Sequence, residues 1–126
     1  MQILLVEPNR QLGKSYQDYL EKSGNVVVVC EDGQSAIKAS DSLAPDLVIL
    51  ELQLVGHSGI EFLYEFRSYP EWQTIPVVVH SLMPQSELDK HKIVLSQLGV
   101  QDYLYKPLTT LKQLGRAVGK YAVTKS

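Results

Sequence analysis

PDLVILELQLVGHSGIEFL, residues 45–63, is the stretch whose reading decides the fold. Leu47, Val48, Ile49 and Leu50 follow one another with no polar alternation, the pattern of a strand covered on both faces of a parallel sheet. A carboxylate, Glu51, ends the run at once. A loop containing Gly56 and Gly59 comes next, and then Ile60, Phe62, Leu63, Phe66 and Tyr69 recur at helical spacing until Pro70 closes the segment. Trp72 lies just past that proline. The stretch therefore reads as a buried strand, a polar turn and an amphipathic helix, two parts of a βαβ unit.

The same alternation repeats on both sides of it. Apolar runs at Ile3–Val6, Val26–Cys30, Ile75–Val79 and Tyr103–Tyr105 give four more strands, the last with the weakest pattern. Leu12, Tyr16, Tyr19 and Leu20 share a helical face that starts at an N-cap, Asn9, and stops at Gly24. Gln34–Leu43 carries Ala36, Ile37 and Leu43 ahead of Pro45, and Leu88, Ile93, Val94, Leu95 and Leu98 lie between Pro84 and Gly99. From about Thr109 to Ala122 a fifth helix carries Leu111, Leu114, Val118 and Tyr121. Five strands alternating with five helices predict a (βα)5 chain with right-handed crossovers onto one sheet. That is an α/β, doubly wound, three-layer sandwich of the flavodoxin-like type with five parallel strands. Ligands of such sheets bind beyond the carboxyl ends of the strands, which brings Glu7, Pro8, Glu51, Ser81 and Lys106 forward as candidate site residues.

The totals narrow the classes. A chain of 126 residues with 44% apolar and 21% charged residues is expected to form one domain over 1–126 with a core that needs no disulfide. Its one cysteine, Cys30, cannot form an intramolecular disulfide, which fits a reducing, cytoplasmic setting. No apolar run approaches the ~20 residues of a membrane span. MQILLVEPNR lacks the basic start of a signal peptide. A net charge of −2 gives no general drive toward nucleic acid or acidic membranes. His57, His80, His91 and Cys30 show no zinc-binding spacing, so no metal centre is expected among them.

Five fragments, in order and spanning nearly the whole chain, carry a resemblance: ILLVEPN, EDGQSAIKA, PDLVILELQLVGHSGIEFL, IPVVVHS and QDYLYKP. Together they resemble the receiver domain of two-component response regulators. The resemblance implies a phosphoryl-accepting site, and it aligns Glu51 with the family's acceptor Asp. Glu7 takes the first position of the family's acidic pair and Pro8 stands where the second acid belongs. Ser81 matches the hydroxyl that contacts the phosphoryl group, and Lys106 the lysine that pairs with the acceptor. Tyr103 matches the aromatic that turns inward on activation, and Pro107 follows a peptide bond that is commonly cis in the family.

Two of these positions depart from what the chemistry needs. Magnesium requires a nearly octahedral shell of oxygens, and Pro8 supplies no side-chain oxygen while fixing its own φ and restricting Glu7. Magnesium binding is therefore expected to be weak or absent, and no other cofactor is expected. Glu51 is one methylene longer than the acceptor it replaces, so its carboxylate projects where the phosphoryl group would sit, and misplacement at this scale costs rate steeply. The expectation is a non-phosphorylatable pseudo-receiver, not an enzyme, acting in phosphorelay-type signalling through protein–protein contacts. Glu51 also reaches toward Ser81 and Lys106. With one negative charge against about −1.5 to −2 for a phosphate it would mimic the phosphorylated state only in part. An inward Tyr103, with Ser81 bonded to Glu51, would mark that active-like state. Glu7, Glu51 and Lys106 equally fit a plain ion-pair cluster that holds strand ends together.

Two other functions compete. One is a phosphorylatable receiver with slow autophosphatase activity on a non-standard acceptor; against it, no Asp ends the third strand, Asp46 lying before it. The other is a flavodoxin-like small-molecule binder; against it, EPNRQLGK is not a phosphate-cradling loop. Lys112, Arg116 and Lys120 form a basic stripe at four-residue spacing, either a solvated face or a docking face. The resemblance favours partners or a second copy on the fourth and fifth helices, without direct nucleic-acid binding. Phe62, Tyr64, Phe66, Tyr69 and Trp72 mostly suit packing of the third helix, with exposure of Tyr64 and Trp72 to a partner as the alternative for those two.

Overall fold

Valine, isoleucine and leucine fill the strands of the computed structural model, which describes residues 1–122. The strands are β1 (Gln2–Val6), β2 (Val26–Cys30), β3 (Leu47–Leu50), β4 (Val77–Ser81) and β5 (Val100–Tyr105). They alternate with α1 (Arg10–Glu21), α2 (Gly33–Leu43), α3 (Gly59–Ser68), α4 (Gln85–Gln97) and α5 (Leu111–Ala122). Short 3₁₀ turns cover Pro70–Trp72 and Lys106–Leu108. All pairs are parallel and the strand order is β2-β1-β3-β4-β5, so the order reverses between β1 and β3, beside Glu7 and Glu51. This is the flavodoxin-like sandwich that the alternation predicts.

Because side chains alternate across a strand, the sheet feeds two cores. Leu4, Val6, Val48, Leu50, Val77 and Val79 meet Ala36 of α2, Phe62, Leu63 and Phe66 of α3, and Leu88 and Leu95 of α4. Ile3, Leu5, Leu47, Ile49 and Val78 meet Tyr16 and Leu20 of α1 and Leu114, Val118 and Tyr121 of α5. Each helix that follows a strand starts with its orphan N–H groups satisfied where the sequence offers a cap. Asn9 Oδ1 accepts from Leu12 N–H (3.0 Å), Asp32 from Ser35 N–H (2.8 Å) and Ser58 from Glu61 N–H (3.2 Å).

One glycine sets the geometry of the site. A Cβ on Gly59 would lie 2.8 Å from both the Glu51 carbonyl oxygen and Leu52 Cα, so α3 begins in direct contact with the end of β3 only because residue 59 has no side chain.

The element ends differ from the sequence reading in informative places. β4 begins at Val77, not Ile75, because Pro76 precedes it, and it runs on to Ser81. β5 is longer than Tyr103–Tyr105: it starts at Val100, and its register against β4 shifts between Val77 and Val78. An edge strand with an extra residue and half-buried side chains shows no continuous apolar run. Tyr69 caps α3 from outside it. Of the two aromatics left open between third-helix packing and a partner surface, Trp72 is only 4% exposed and stacks on Phe66 at 5.0 Å between ring centres, whereas Tyr64 is 58% exposed. The 3₁₀ turn folds the indole back under α3, so Trp72 belongs to the core and not to a docking face. The Lys106–Pro107 peptide is trans, not the cis form common in the family.

Candidate functional site

β1, β3 and β4 end side by side, and β5 runs into the 3₁₀ turn that carries Lys106. Glu7, Glu51, Ser81 and Lys106 are thereby brought together and buried, Glu51 at 1% exposure and Lys106 at 8%. Lys106 Nζ donates to Glu7 Oε1 at 2.6 Å and to Glu51 Oε1 at 2.7 Å. Glu51 Oε1 also accepts from the Leu82 N–H (2.9 Å). Its other oxygen, Oε2, accepts from the Gln53 N–H (3.0 Å) and from the Ser81 hydroxyl. Ser81 Oγ accepts in turn from the Met83 N–H (3.0 Å). Glu7 Oε2 accepts from the Asn9 N–H (3.0 Å), the first donor available after Pro8, whose nitrogen carries no hydrogen.

Burying a carboxylate raises its pKa, yet Glu51 is held below its ordinary value. The desolvation is outweighed by the Gln53 N–H, the Lys106 ammonium, the Ser81 hydroxyl and the Leu82 N–H. Lys106 moves the other way: burial would lower its pKa, and the bonds and charges of Glu51 and Glu7 raise it instead. Charge-assisted bonds of this kind are about twice as strong as neutral ones, and they satisfy the groups that burial would otherwise penalise.

The remaining sequence candidates fall around this cluster. Pro8 is half-buried and contributes no side-chain oxygen. Tyr103 is half-buried and packs against the α2–α4 side of the core. Its hydroxyl makes no hydrogen bond among the described residues, and burial raises its pKa while Lys92 of α4 lowers it. Thus Ser81 is bonded to Glu51, but the aromatic is not latched. Pro107 is exposed. On α5, Lys112 and Arg116 are exposed, while Lys120 leans on Asp102 of β5 at 3.5 Å. His57 pairs with Glu61 on the surface (2.7 Å).

Two groups carry more weight than sequence reasoning gives them. His80 is buried beside the cluster, edge-on to Tyr16 with ring centres 5.0 Å apart. Its pKa is lowered to about 4, chiefly by burial and further by the Lys106 charge, with Glu51 opposing. The backbone N–H groups of Gln53, Leu82 and Met83 supply three of the bonds in the cluster, and no side-chain pattern announces a backbone donor.

The donor set does not fit a magnesium ion. Pro8 offers no side-chain oxygen, and the oxygens of Glu7 and Glu51 already face an ammonium and N–H groups. Among the described residues no group of three or more His, Cys, Asp or Glu side chains is arranged to hold a metal.

The family model of the response regulator receiver domain matches residues 3–118. The chain belongs to that family. This receiver domain is 34% identical over 105 residues to the KDP operon transcriptional regulatory protein KdpE of Escherichia coli, covering 83% of the chain and 44% of that protein. It is 27% identical over 124 residues to hybrid signal transduction histidine kinase D of Dictyostelium discoideum, covering 98% of the chain and 8% of the kinase. The chain thus spans less than half the length of both relatives. Among solved structures it resembles the BeF3-activated N-terminal receiver domain of Klebsiella pneumoniae RstA, with TM-score 0.80 and 27% identity over 96% of this chain and 98% of that one. The chemotaxis protein CheY4 of Vibrio cholerae shares the fold at TM-score 0.84 with 18% identity, over 95% of this chain and 97% of that one. The receiver domain is a module of two-component signalling. No helix among its described residues is long and apolar enough to cross a membrane.

Proposed function

We propose that this receiver domain is a cytoplasmic, non-enzymatic signalling module that is not phosphorylated and acts by docking on protein partners. The observation that carries the reading is the saturation of Glu51. Its two oxygens accept four hydrogen bonds, from Lys106, Leu82, Ser81 and Gln53, and two of these donors, Ser81 and Lys106, are the ones that the family resemblance assigns to the phosphoryl group and the acceptor. A nucleophile must have a lone pair free and in line with the leaving oxygen, and a carboxylate bonded on both oxygens inside a buried cluster has neither. The lack of a side-chain oxygen at Pro8 makes magnesium binding weak, which removes the ion that would neutralise the incoming charge.

Glu51 then acts as a built-in, partial substitute for the phosphorylated state. It engages Ser81 and Lys106 permanently, while Tyr103 is left unlatched. For docking, Ile93 of α4 and Leu108 before α5 are 76% and 77% exposed, and Leu111, three residues after Leu108, is exposed as well. With the exposed Lys112 and Arg116 of α5, these apolar side chains suit an acidic protein partner or a second copy better than nucleic acid, given the net charge of −2.

Intact-mass measurement after incubation with acetyl phosphate and excess magnesium tests the reading, alongside a Glu51→Asp, Pro8→Asp double variant. The expected result is an unmodified wild type and a double variant that gains one phosphoryl group. A phosphorylated wild type would sink the proposal and turn attention to the residue that accepts the group.

A further inference from the structure

Helix α4 is fastened at its ends more than along its length. Of its 13 residues only Leu88 and Leu95 are buried, and Pro84 gives its N-terminus no side-chain cap. Ile93 in its middle points to solvent. A helix with so small a buried face draws little stability from packing and belongs to the part of a fold that opens locally.

Its two fastenings differ in kind. At the N-terminal end, the loop from β4 is tied to the site through Leu82 N–H on Glu51 (2.9 Å) and Met83 N–H on Ser81 (3.0 Å). At the C-terminal end the tie is Arg67 of α3. Its Nε donates to the Leu98 carbonyl (2.8 Å) and its Nη1 to the Trp72 carbonyl (2.6 Å). The guanidinium lies over the Phe66 ring, 5.6 Å from its centre, and Phe66 is itself stacked on Trp72. Gly99 completes the clasp: its φ is +82°, and a Cβ there would lie 2.9 Å from Arg67 Nη2. The planar fork thus joins α3, the 3₁₀ turn and the α4–β5 turn in one arrangement that a lysine, with a single point of charge, cannot reproduce.

We propose that Arg67 is the positioning residue on which α4 pivots. It holds the C-terminal end of the helix, so that whatever happens at Glu51 moves the N-terminal end alone. The link to Glu51 rests on reading that residue as the fixed switch; the clasp itself does not. The consequence for docking is specific: the surface around Ile93 tilts but is not shed.

Amide hydrogen exchange on the full chain tests this, with the amides of β1 and β3 as an internal reference for global opening. Arg67→Met is expected to speed exchange roughly tenfold or more at residues 94–101, leaving 82–84 unchanged. Arg67→Lys, which keeps the charge and loses the fork, should do the same and guards against a methionine variant that simply unfolds. Glu51→Ala is expected to speed exchange at 82–90 and leave 94–101 protected. If either Arg67 variant leaves 94–101 as protected as in the wild type, the pivot is overturned. It is also overturned if Glu51→Ala loosens all of α4 evenly while Arg67 is intact. No change at 82–84 in Glu51→Ala, with the Arg67 response present, would instead overturn the fixed-switch reading.

Discussion

Replacing Lys106 with methionine should reverse the sign of the contribution that Glu51 makes to the pH dependence of stability. Among the described residues the ammonium is the one cation bonded to both Glu7 and Glu51, at 2.6 and 2.7 Å. Methionine fills similar space and leaves two buried carboxyl groups with no counter-charge. Breaking a buried pair by removing one partner costs about 3–5 kcal/mol, a large part of the 5–15 kcal/mol typical of a domain. The sign of the pH effect follows from Glu51. In the wild type its folded pKa is depressed, so its contribution is present above the unfolded value and lost as pH falls through the folded one. In the variant, burial is no longer outweighed and the folded pKa rises above the unfolded one. Protonation then relieves the folded state, and the deficit should shrink as pH drops from 7 to 5. The slope is about 1.4 kcal/mol per pH unit for each proton taken up by the folded variant alone, up to roughly 2.7 kcal/mol over that range. Urea unfolding at pH 7, 6 and 5 reads the difference, with both proteins carrying His80→Gln, because the Lys106 charge also lowers the His80 pKa. A deficit under about 1 kcal/mol at pH 7, or one that grows on acidification, would refute the buried ion cluster as described.

His80 makes a second titration visible. Its folded pKa of about 4 lies below the unfolded value of 6.5, so the unfolded chain takes up the proton first. Wild-type stability should fall by about 1.4 kcal/mol per pH unit from about pH 6.5 toward pH 4; a His80→Gln variant that keeps the same slope over pH 6.5–5 would contradict this, and an imidazole NMR titration should place its midpoint near 4. The aromatic assignment is tested by two truncations. Trp72→Ala should cost about 3–5 kcal/mol in thermal or urea unfolding, whereas Tyr64→Ala should stay within about 0.5 kcal/mol, and equal effects would undo the distinction between them.

The sheet and its five helices are legible in the sequence because buried parallel strands carry their signal in each run: Leu47–Leu50 needs no partner to be recognised. β5 was harder to read since an edge strand is only half-covered, and the irregular register near Val100 breaks its pattern. At the site, Glu7, Glu51, Ser81 and Lys106 can be picked out because each ends or directly follows a strand. What could not be picked out is the share held by backbone: Leu82, Met83 and Gln53 donate through N–H groups that every residue but proline possesses. The sequence leaves the side of Trp72 open and gives no sign of the role of Arg67 for a related reason. Whether an aromatic just past Pro70 turns outward or under the helix depends on a 3₁₀ turn, and the carbonyls that Arg67 grips, those of Leu98 and Trp72, are defined only once α3, α4 and β5 have packed.

Losing the chemistry of a receiver and losing its switch are separate events, and the residues here distinguish them. Pro8 and Glu51 bear on metal and phosphoryl binding; Ser81, Lys106 and the β4–α4 loop bear on what that binding would control. The second group is hydrogen-bonded throughout, and Glu51 accepts from Ser81, Leu82 and Lys106. A relic freed of selection for switching has no physical reason to keep a lysine at 8% exposure and a serine at 2% exposure, since apolar residues of similar volume would serve stability as well or better. Retaining them makes sense if the arrangement of the loop after β4, and of α4 beyond it, is itself what a partner reads. On that reading the signal is set by how much of this domain is present and by who competes for it, because its conformation no longer waits on a phosphoryl donor. The Lys106→Met protein then serves a second purpose. If it folds at pH 5 yet no longer holds the β4–α4 loop in place, any partner captured by the wild type at that pH should be lost with it.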